Sequence, residues 1–181
     1  YWYRSGTNQT MRDALADIAE KAENLIDLKG GEFVVDIGCN DGTLLGAYTR
    51  PDIVRVGFDP AENMAQYSRN VADHLVVGYF SADSYFAASE LEGRRPKIVT
   101  SIAMFYDLEE PHNFVSDVKD VMDPEGVWIV QMSYLPLMLK QNEVGNICHE
   151  HLEYYSLHSL EYLLNMHDLE VVDVELNDVN G

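Results

Sequence analysis

Only two cysteines occur in 181 residues, Cys39 and Cys148, far apart and without a C-x-x-C spacing. That argues against a disulfide framework and makes a reducing cytoplasm the expected compartment. Basic residues are also scarce, 12 Lys and Arg against 31 Asp and Glu, for a formal charge of −19. Such a surface repels phosphate backbones and anionic lipids, so neither a nucleic-acid nor a membrane partner is expected. A salt-adapted surface accounts for the acidity without a functional meaning. No apolar run approaches the length of a membrane span, and no signal-peptide pattern is legible. Hydrophobic residues nevertheless make up 46% of the chain, enough for one sizeable folded domain. The chain opens Tyr1-Trp2-Tyr3 without a methionine and closes Val179-Asn180-Gly181, so both ends read as cuts in something longer.

The densest information lies at residues 33–42. Phe33-Val34-Val35-Asp36-Ile37 reads as a buried strand, and Gly38-Cys39-Asn40-Asp41-Gly42 as a sharp turn before the helix-like Thr43-Leu44-Leu45. Glycines permit positive φ and close approach of the backbone to a ligand. A helix start would add unpaired amides and a positive end. A dinucleotide turn reads G-x-G-x-x-G and brings amides onto a pyrophosphate. Here Asn40 replaces the second glycine and Asp36 precedes the first by two, a pattern suited to a nucleoside with an amino-acid tail. The turn resembles motif I, D/E-x-G-x-x-x-G, of the class I S-adenosylmethionine (SAM) methyltransferases. A second strand, 53–58, ends in Asp59, where an acid is placed to accept both ribose hydroxyls of a nucleoside. Asp59 also reads as a helix N-cap before Pro60, and the two roles are compatible.

The rest of the chain alternates strands and helices. Met11, Leu15, Ile18, Ala22 and Leu25 define an amphipathic helix, with Thr10 and Asp13 as its capping box and Gly30-Gly31 as its stop. Helices are predicted over 61–71, 81–91, from Pro111 to 122, and around Leu157–Leu164. Strands are predicted at 74–77, 97–102, 127–132 and 170–176, with 134–155 irregular because Pro136 and Gly145 interrupt it. This order predicts an α/β fold: a mostly parallel, doubly wound sheet with helices on both faces and its ligand at the strands' carboxyl ends. The glycine turn, Asp59, Tyr79-Phe80 and Met104-Phe105-Tyr106-Asp107 all fall there. Tyr79 and Phe80 are placed to flank an adenine ring, although Phe80 reads equally well as core.

The segment Asn146-Ile147-Cys148-His149-Glu150-His151-Leu152-Glu153-Tyr154-Tyr155-Ser156 concentrates His and Glu after the fifth strand. Three readings fit: a zinc site, a His general base held by a carboxylate, or a polar loop. Ligands this close in sequence rarely converge on one ion, and no second cluster supplies more.

Taken together, Asp36-Ile37-Gly38-Cys39-Asn40-Asp41-Gly42, Glu150-His151 followed by Tyr155-Ser156, and the opening Tyr1-x-Tyr3-x-Ser5 leading to Met11-Arg12 resemble the sugar C-methyltransferases that act on nucleotide-linked 4-keto-deoxysugars. The resemblance runs over essentially the whole chain. It implies one SAM-binding, Rossmann-like domain over 1–181, without the family's N-terminal zinc module and C-terminal sugar-nucleotide domain. It implies SAM as cofactor, with S-adenosylhomocysteine (SAH) as product, a small-molecule substrate and no catalytic metal. The cofactor residues would be Asp36, Gly38, Asn40, Gly42, Asp59, Tyr79 and Phe80. His151 would be the base, oriented by Glu150, and Tyr3 an active-site tyrosine. Two positions depart from the family: Cys148 stands for a tyrosine three residues before the catalytic His, and Asp107 for a His after the fourth strand. His149 is a candidate substitute for the lost group.

The expected reaction is proton removal beside the 4-keto group, then transfer of a methyl to that carbon. An O- or N-methyltransferase of another small molecule shares the SAM half, and a non-catalytic nucleoside-binding domain shares the fold. A nicotinamide dehydrogenase is at odds with Asn40 in the glycine turn.

Overall fold

The computed structural model describes residues 3–177 and 179. Tyr1 of the opening motif and the closing Asn180-Gly181 lie outside the described residues. Five strands, β1 (Phe33–Ile37), β2 (Val54–Asp59), β3 (His74–Val77), β4 (Ile98–Ile102) and β5 (Val127–Gln131), form one sheet in the order β3-β2-β1-β4-β5. The β1–β2, β1–β4 and β2–β3 ladders are parallel. At the edge, Val127 N donates to Lys97 O and Ala103 N to Gln131 O, the offsets of a parallel pair. This is the expected α/β, Rossmann-like arrangement, with the order reversing beside β1. No helix among the described residues is long and apolar enough to cross a membrane.

The chain falls into two compact units, one from residues up to Ser101 together with Val121–Ile129, the other Ile102–Asp120 with Val130 onward. In the first unit, all five residues of β1 are buried, as a central parallel strand covered on both faces requires. Helix α1 (Gln9–Leu25) buries Leu15, Ile18, Ala19 and Ala22, the middle of the predicted face, while Met11 is half-buried and Leu25 exposed at its ends. Its cap differs from expectation. Asn8, extended at φ −106°, takes the Thr10 amide on its side chain, while Asp13 receives Gln9 Nε2. Nor do the paired glycines end the helix. It stops at Leu25, and Gly31, at φ +82°, turns the chain into β1 with its amide on Asp52 O.

Two further helices shrink. After the glycine turn only a 3-10 turn forms, Leu45–Ala47, because Gly46 and Pro51 leave no room for propagation. The predicted 61–71 helix reduces to α2 (Ala65–Ser68). Around it the Ser68 hydroxyl and Asn70 amide bond to the backbone carbonyls of Met64 and Gln66, which competes with a regular ladder. Helix α3 (Ala82–Ala87) begins at a Ser81–Ser84 capping box, and a 3-10 turn at Ser89–Leu91 completes the expected 81–91 span.

In the second unit, α4 begins at Pro111 as expected and runs Pro111–Val121. The stretch predicted to be irregular contains α5 (Leu135–Gln141), in which Pro136 sits in the first turn, where no backbone donor is missed. Helix α6 (Leu157–Asn165) opens on a Ser156–Ser159 capping box and buries Leu163 and Leu164. The sixth strand does not form. Residues 170–176 join no ladder, and Val172, Val174 and Leu176 are exposed. Alternation prepares a strand, but a neighbour is needed to make one.

Candidate functional site

In the first unit the glycine turn is held open by backbone geometry that few residues adopt. Gly38, Asn40 and Gly42 all have positive φ, at +76°, +49° and +80°. Asn is the non-glycine residue that tolerates this region best, which accounts for Asn40 in place of a glycine. A Cβ on Gly42 would lie 2.3 Å from Val71 Cγ2 and 3.2 Å from Ser68 Cα, so this glycine is required for packing as well as for φ. Gly38 N and Cys39 N both donate to Phe58 O, tying the turn to the end of β2.

Three carboxylates surround the turn. Asp36 is buried in β1 and accepts a 2.6 Å hydrogen bond from the Thr100 hydroxyl, its register partner in β4. Burial pushes its pKa up to about 7, against the pull of Thr100 and with some help from the Asp59 charge. Asp59 ends β2 and accepts Asn40 N on one oxygen at 2.7 Å and Ala61 N on the other at 2.8 Å. The expected helix cap does not form, since α2 starts only at Ala65 with Met64 at its N-cap; Asp59 instead holds the turn after β2 through Ala61 N. Two of a carboxylate's roughly four acceptor positions are used, so it retains capacity for hydroxyl donors. Asp41 accepts Gly6 N, Thr43 N and the Thr43 hydroxyl, and it pairs with Arg4.

Such a donor set suits a ligand bearing positive charge, a sulfonium and an ammonium, and disfavours a pyrophosphate. The residues present therefore fit SAM, and they fit it through charge rather than through a helix start. Beyond β3, Tyr79 is 83% exposed and available to a planar ligand, whereas Phe80 is half-buried edge-on against Phe58, 5.3 Å between centroids. Phe80 thus packs partly against the fold, while Tyr79 stands open. Tyr3 is exposed, and its carbonyl accepts Asn40 Nδ2 at 3.1 Å.

In the second unit the His–Glu loop follows α5. His151 is half-buried and 4.3 Å, between ring centroids, from Tyr106. Its Nδ1 lies 2.8 Å from the carbonyl oxygen of Asn146. A carbonyl can only accept, so Nδ1 carries the proton and the neutral ring presents its lone pair at Nε2. The orienting group is therefore Asn146, and the expected one, Glu150, does not fill that place. Glu150 is exposed, and its nearest ion-pair partner is His149 Nε2 at 3.7 Å. His149 itself is 90% exposed and projects away from any packed position. The loop is fastened by Leu152 N and Glu153 N, which both donate to Tyr106 O.

Asp107, where the sequence departs from its resemblance, feels this loop electrostatically. Its carboxyl is raised by partial burial, pulled down by His151 and pushed up by Glu150. Among the described residues no three His, Cys, Asp or Glu side chains come together to hold a metal ion. Asp41, Tyr106 and Asn146 were legible only as members of their segments, without the individual parts they play, and Thr100 only as part of a strand. Thr100 left a faint signal, one of two adjacent hydroxyls, with Ser101, in a strand whose other residues are apolar.

Comparison with known proteins follows from this geometry. The chain is 32% identical over 158 residues to the C-methyltransferase NovU of Streptomyces niveus, an alignment covering 86% of this chain but 37% of NovU. Among solved structures, a methyltransferase in complex with the Trm112 activator of Haloferax volcanii matches with a TM-score of 0.69 at 20% identity, covering 93% of this chain and 74% of that one. The mycolic acid cyclopropane synthase CmaA1, solved with SAH and CTAB, matches with a TM-score of 0.66 at 15% identity, covering 91% and 64%. A family model described as a methyltransferase domain matches residues 3–174, nearly the whole chain, and the chain belongs to that methyltransferase family.

Proposed function

We propose that this domain transfers a methyl group from SAM to a carbon of a nucleotide-linked keto-sugar through an enolate, with His151 as general base. SAM is the methyl donor. When bound it supplies an electrophilic methyl group on a sulfonium, already a good leaving group. Asp36, Gly38, Asn40, Gly42 and Asp59 form its site, with Tyr79 the aromatic available to the adenine and Phe80 shaping the wall behind it. The likeness to NovU, a protein named as a C-methyltransferase, supports a carbon acceptor. The domain reading of 1–181 as one SAM-binding module of a longer enzyme agrees with the 37% of NovU that it spans.

The observation that carries the reading is His151. A neutral imidazole with Nδ1–H fixed on a carbonyl has one basic nitrogen, and its orientation is set before substrate arrives. Nε2 removes the proton from the carbon beside the ketone, which the carbonyl acidifies. The Tyr3 hydroxyl donates to the enolate oxygen as charge develops there. The enolate carbon would then take the methyl group as its bond to the sulfonium breaks and SAH leaves, and the proton on His151 passes to solvent. Asp107 lies within electrostatic reach of His151.

The test is exchange of the sugar C3 proton with deuterated solvent, by wild type and by His151→Asn, with SAH titrated into both. Exchange lost in the variant while SAH still binds supports the assignment. Retained exchange removes His151 as base, and methyl transfer without any exchange in wild type points to an oxygen or nitrogen acceptor.

A further inference from the structure

The residues of the glycine turn carry a second set of bonds that the reaction itself does not use. Asn40 meets the N-terminal segment with both arms of its amide: Oδ1 accepts Ser5 N at 3.0 Å and Nδ2 donates to Tyr3 O at 3.1 Å. The two partners fix the amide's orientation, since a flip would face donor to donor and acceptor to acceptor. Asp41 accepts Gly6 N at 2.9 Å on the same oxygen that pairs with Arg4 Nε at 3.2 Å. Arg4 also lies over the Tyr67 ring, 4.3 Å from its centroid. A Cβ on Gly6 would lie 2.8 Å from both Asp41 Oδ2 and Thr43 Oγ1. A larger residue here would have to displace those side chains.

We propose that Asn40 and Asp41 are positioning residues that clamp residues 3–7 onto the glycine turn, so that methyl-donor binding and the placement of Tyr3 are reciprocally coupled. The route is short. Asp59 holds the Asn40 backbone amide at 2.7 Å, and the Asn40 side chain holds Tyr3 and Ser5. A ligand that braces Asp59 and the turn therefore braces the segment, and a fastened segment keeps the turn in its binding geometry. Linkage makes the two effects equal in size. The proposal rests on the reading of the turn as the SAM site, and deepens it: a seated donor and a placed Tyr3 favour each other.

Hydrogen exchange at the Ser5 and Gly6 amides, with and without SAH, tests this beside calorimetry on the same samples. SAH should slow exchange at these two amides by about tenfold in wild type, the middle of the usual coupling range. Asn40→Gly keeps the positive φ and deletes only the amide arms. By the same reciprocity it should weaken SAH binding and lose the ligand-dependent protection at residues 5 and 6, with protection in β1 unchanged. Arg4→Gln leaves the turn intact. By reciprocity it should weaken SAH about fivefold and speed exchange at Gly6 without ligand.

SAH binding with unchanged exchange at Ser5 and Gly6, or an Arg4→Gln chain that binds SAH as wild type does, overturns the coupling and leaves the cofactor site standing. Full protection in Asn40→Gly overturns the role of Asn40. Failure of wild type to bind SAH overturns both readings together.

Discussion

His151 places its Nδ1 2.8 Å from the Asn146 carbonyl oxygen, while the adjacent Glu150 points to solvent. A backbone acceptor fixes the tautomer as firmly as a carboxylate would but adds no full negative charge beside the ring. The neighbours in sequence thus have unequal weight in the proposed chemistry. Glu150→Gln should lower kcat by less than about tenfold, a long-range loss of imidazolium stabilisation only. His151→Asn should lower it by at least about a hundredfold, the lower range for a general base. Steady-state kinetics on the two variants decides this, and equal losses would restore Glu150 as the orienting group.

Asp36 makes a prediction about stability. Its carboxyl titrates near 7 in the fold because burial disfavours the charged form, against an ordinary value of 3.8. The folded state therefore holds a proton that the unfolded state has released across that window, and stability falls as pH rises from the lower value to the upper one. Below the window the group contributes nothing to the slope. Above it the loss is complete, up to about 4 kcal/mol. Asp36→Asn keeps an acceptor for Thr100 and removes the charge. Urea midpoints measured across the window should fall with pH in wild type and flatten in the variant, which should be the more stable chain at the alkaline end.

How far such residues could be read beforehand depended on whether their partners were local. The parallel sheet and the glycine turn followed from apolar runs and from Asp36-x-Gly38-x-x-x-Gly42, because strand and turn signals are short-range. The Thr100 contact needed the β1–β4 register, which joins residues 64 apart. Asn146 was invisible for another reason: its functional atom is a carbonyl oxygen, which every residue carries. Pro136 misled because proline ends a helix from within but is compatible with the first turn. Residues 170–176 misled because the alternating pattern of Val172, Val174 and Leu176 is a property of one strand, whereas a ladder is a property of two.

Gly42 separates conformational from steric demand. Replacing it with alanine forces a side chain into the left-handed region at φ +80° and puts Cβ 2.3 Å from Val71. The first effect costs about 1–2 kcal/mol and overpacking about 1–3 more. Gly145→Ala meets nothing within 4 Å and has no such φ, so it should change stability by less than about 0.5 kcal/mol. Chemical denaturation of the pair measures both. A Gly42→Ala chain as stable as Gly145→Ala would mean that the turn relaxes freely, and a rigid cofactor cradle could not be built on it.

Asp59 joins the turn to the loop after β2, accepting Asn40 N and Ala61 N on separate oxygens. Its removal leaves two part-buried amides without their acceptor, each worth about 1–3 kcal/mol if water cannot replace it. Asp59→Ala should therefore lower both thermal stability and SAH affinity, the latter by at least about tenfold, since 1.4 kcal/mol is a factor of ten. Asp59→Asn distinguishes the two contributions. It can still accept one amide on its single carbonyl oxygen, and so should regain part of the stability, but it lacks the charge that suits a cationic ligand and a pair of hydroxyl donors. Calorimetric titration with SAH, and with NADH as the control that carries a pyrophosphate, reads this directly. Loss of SAH binding in both variants at near-native stability in Asp59→Asn assigns the carboxylate to the ligand. Native SAH affinity in Asp59→Asn would reduce Asp59 to a structural acceptor for Asn40 N and Ala61 N.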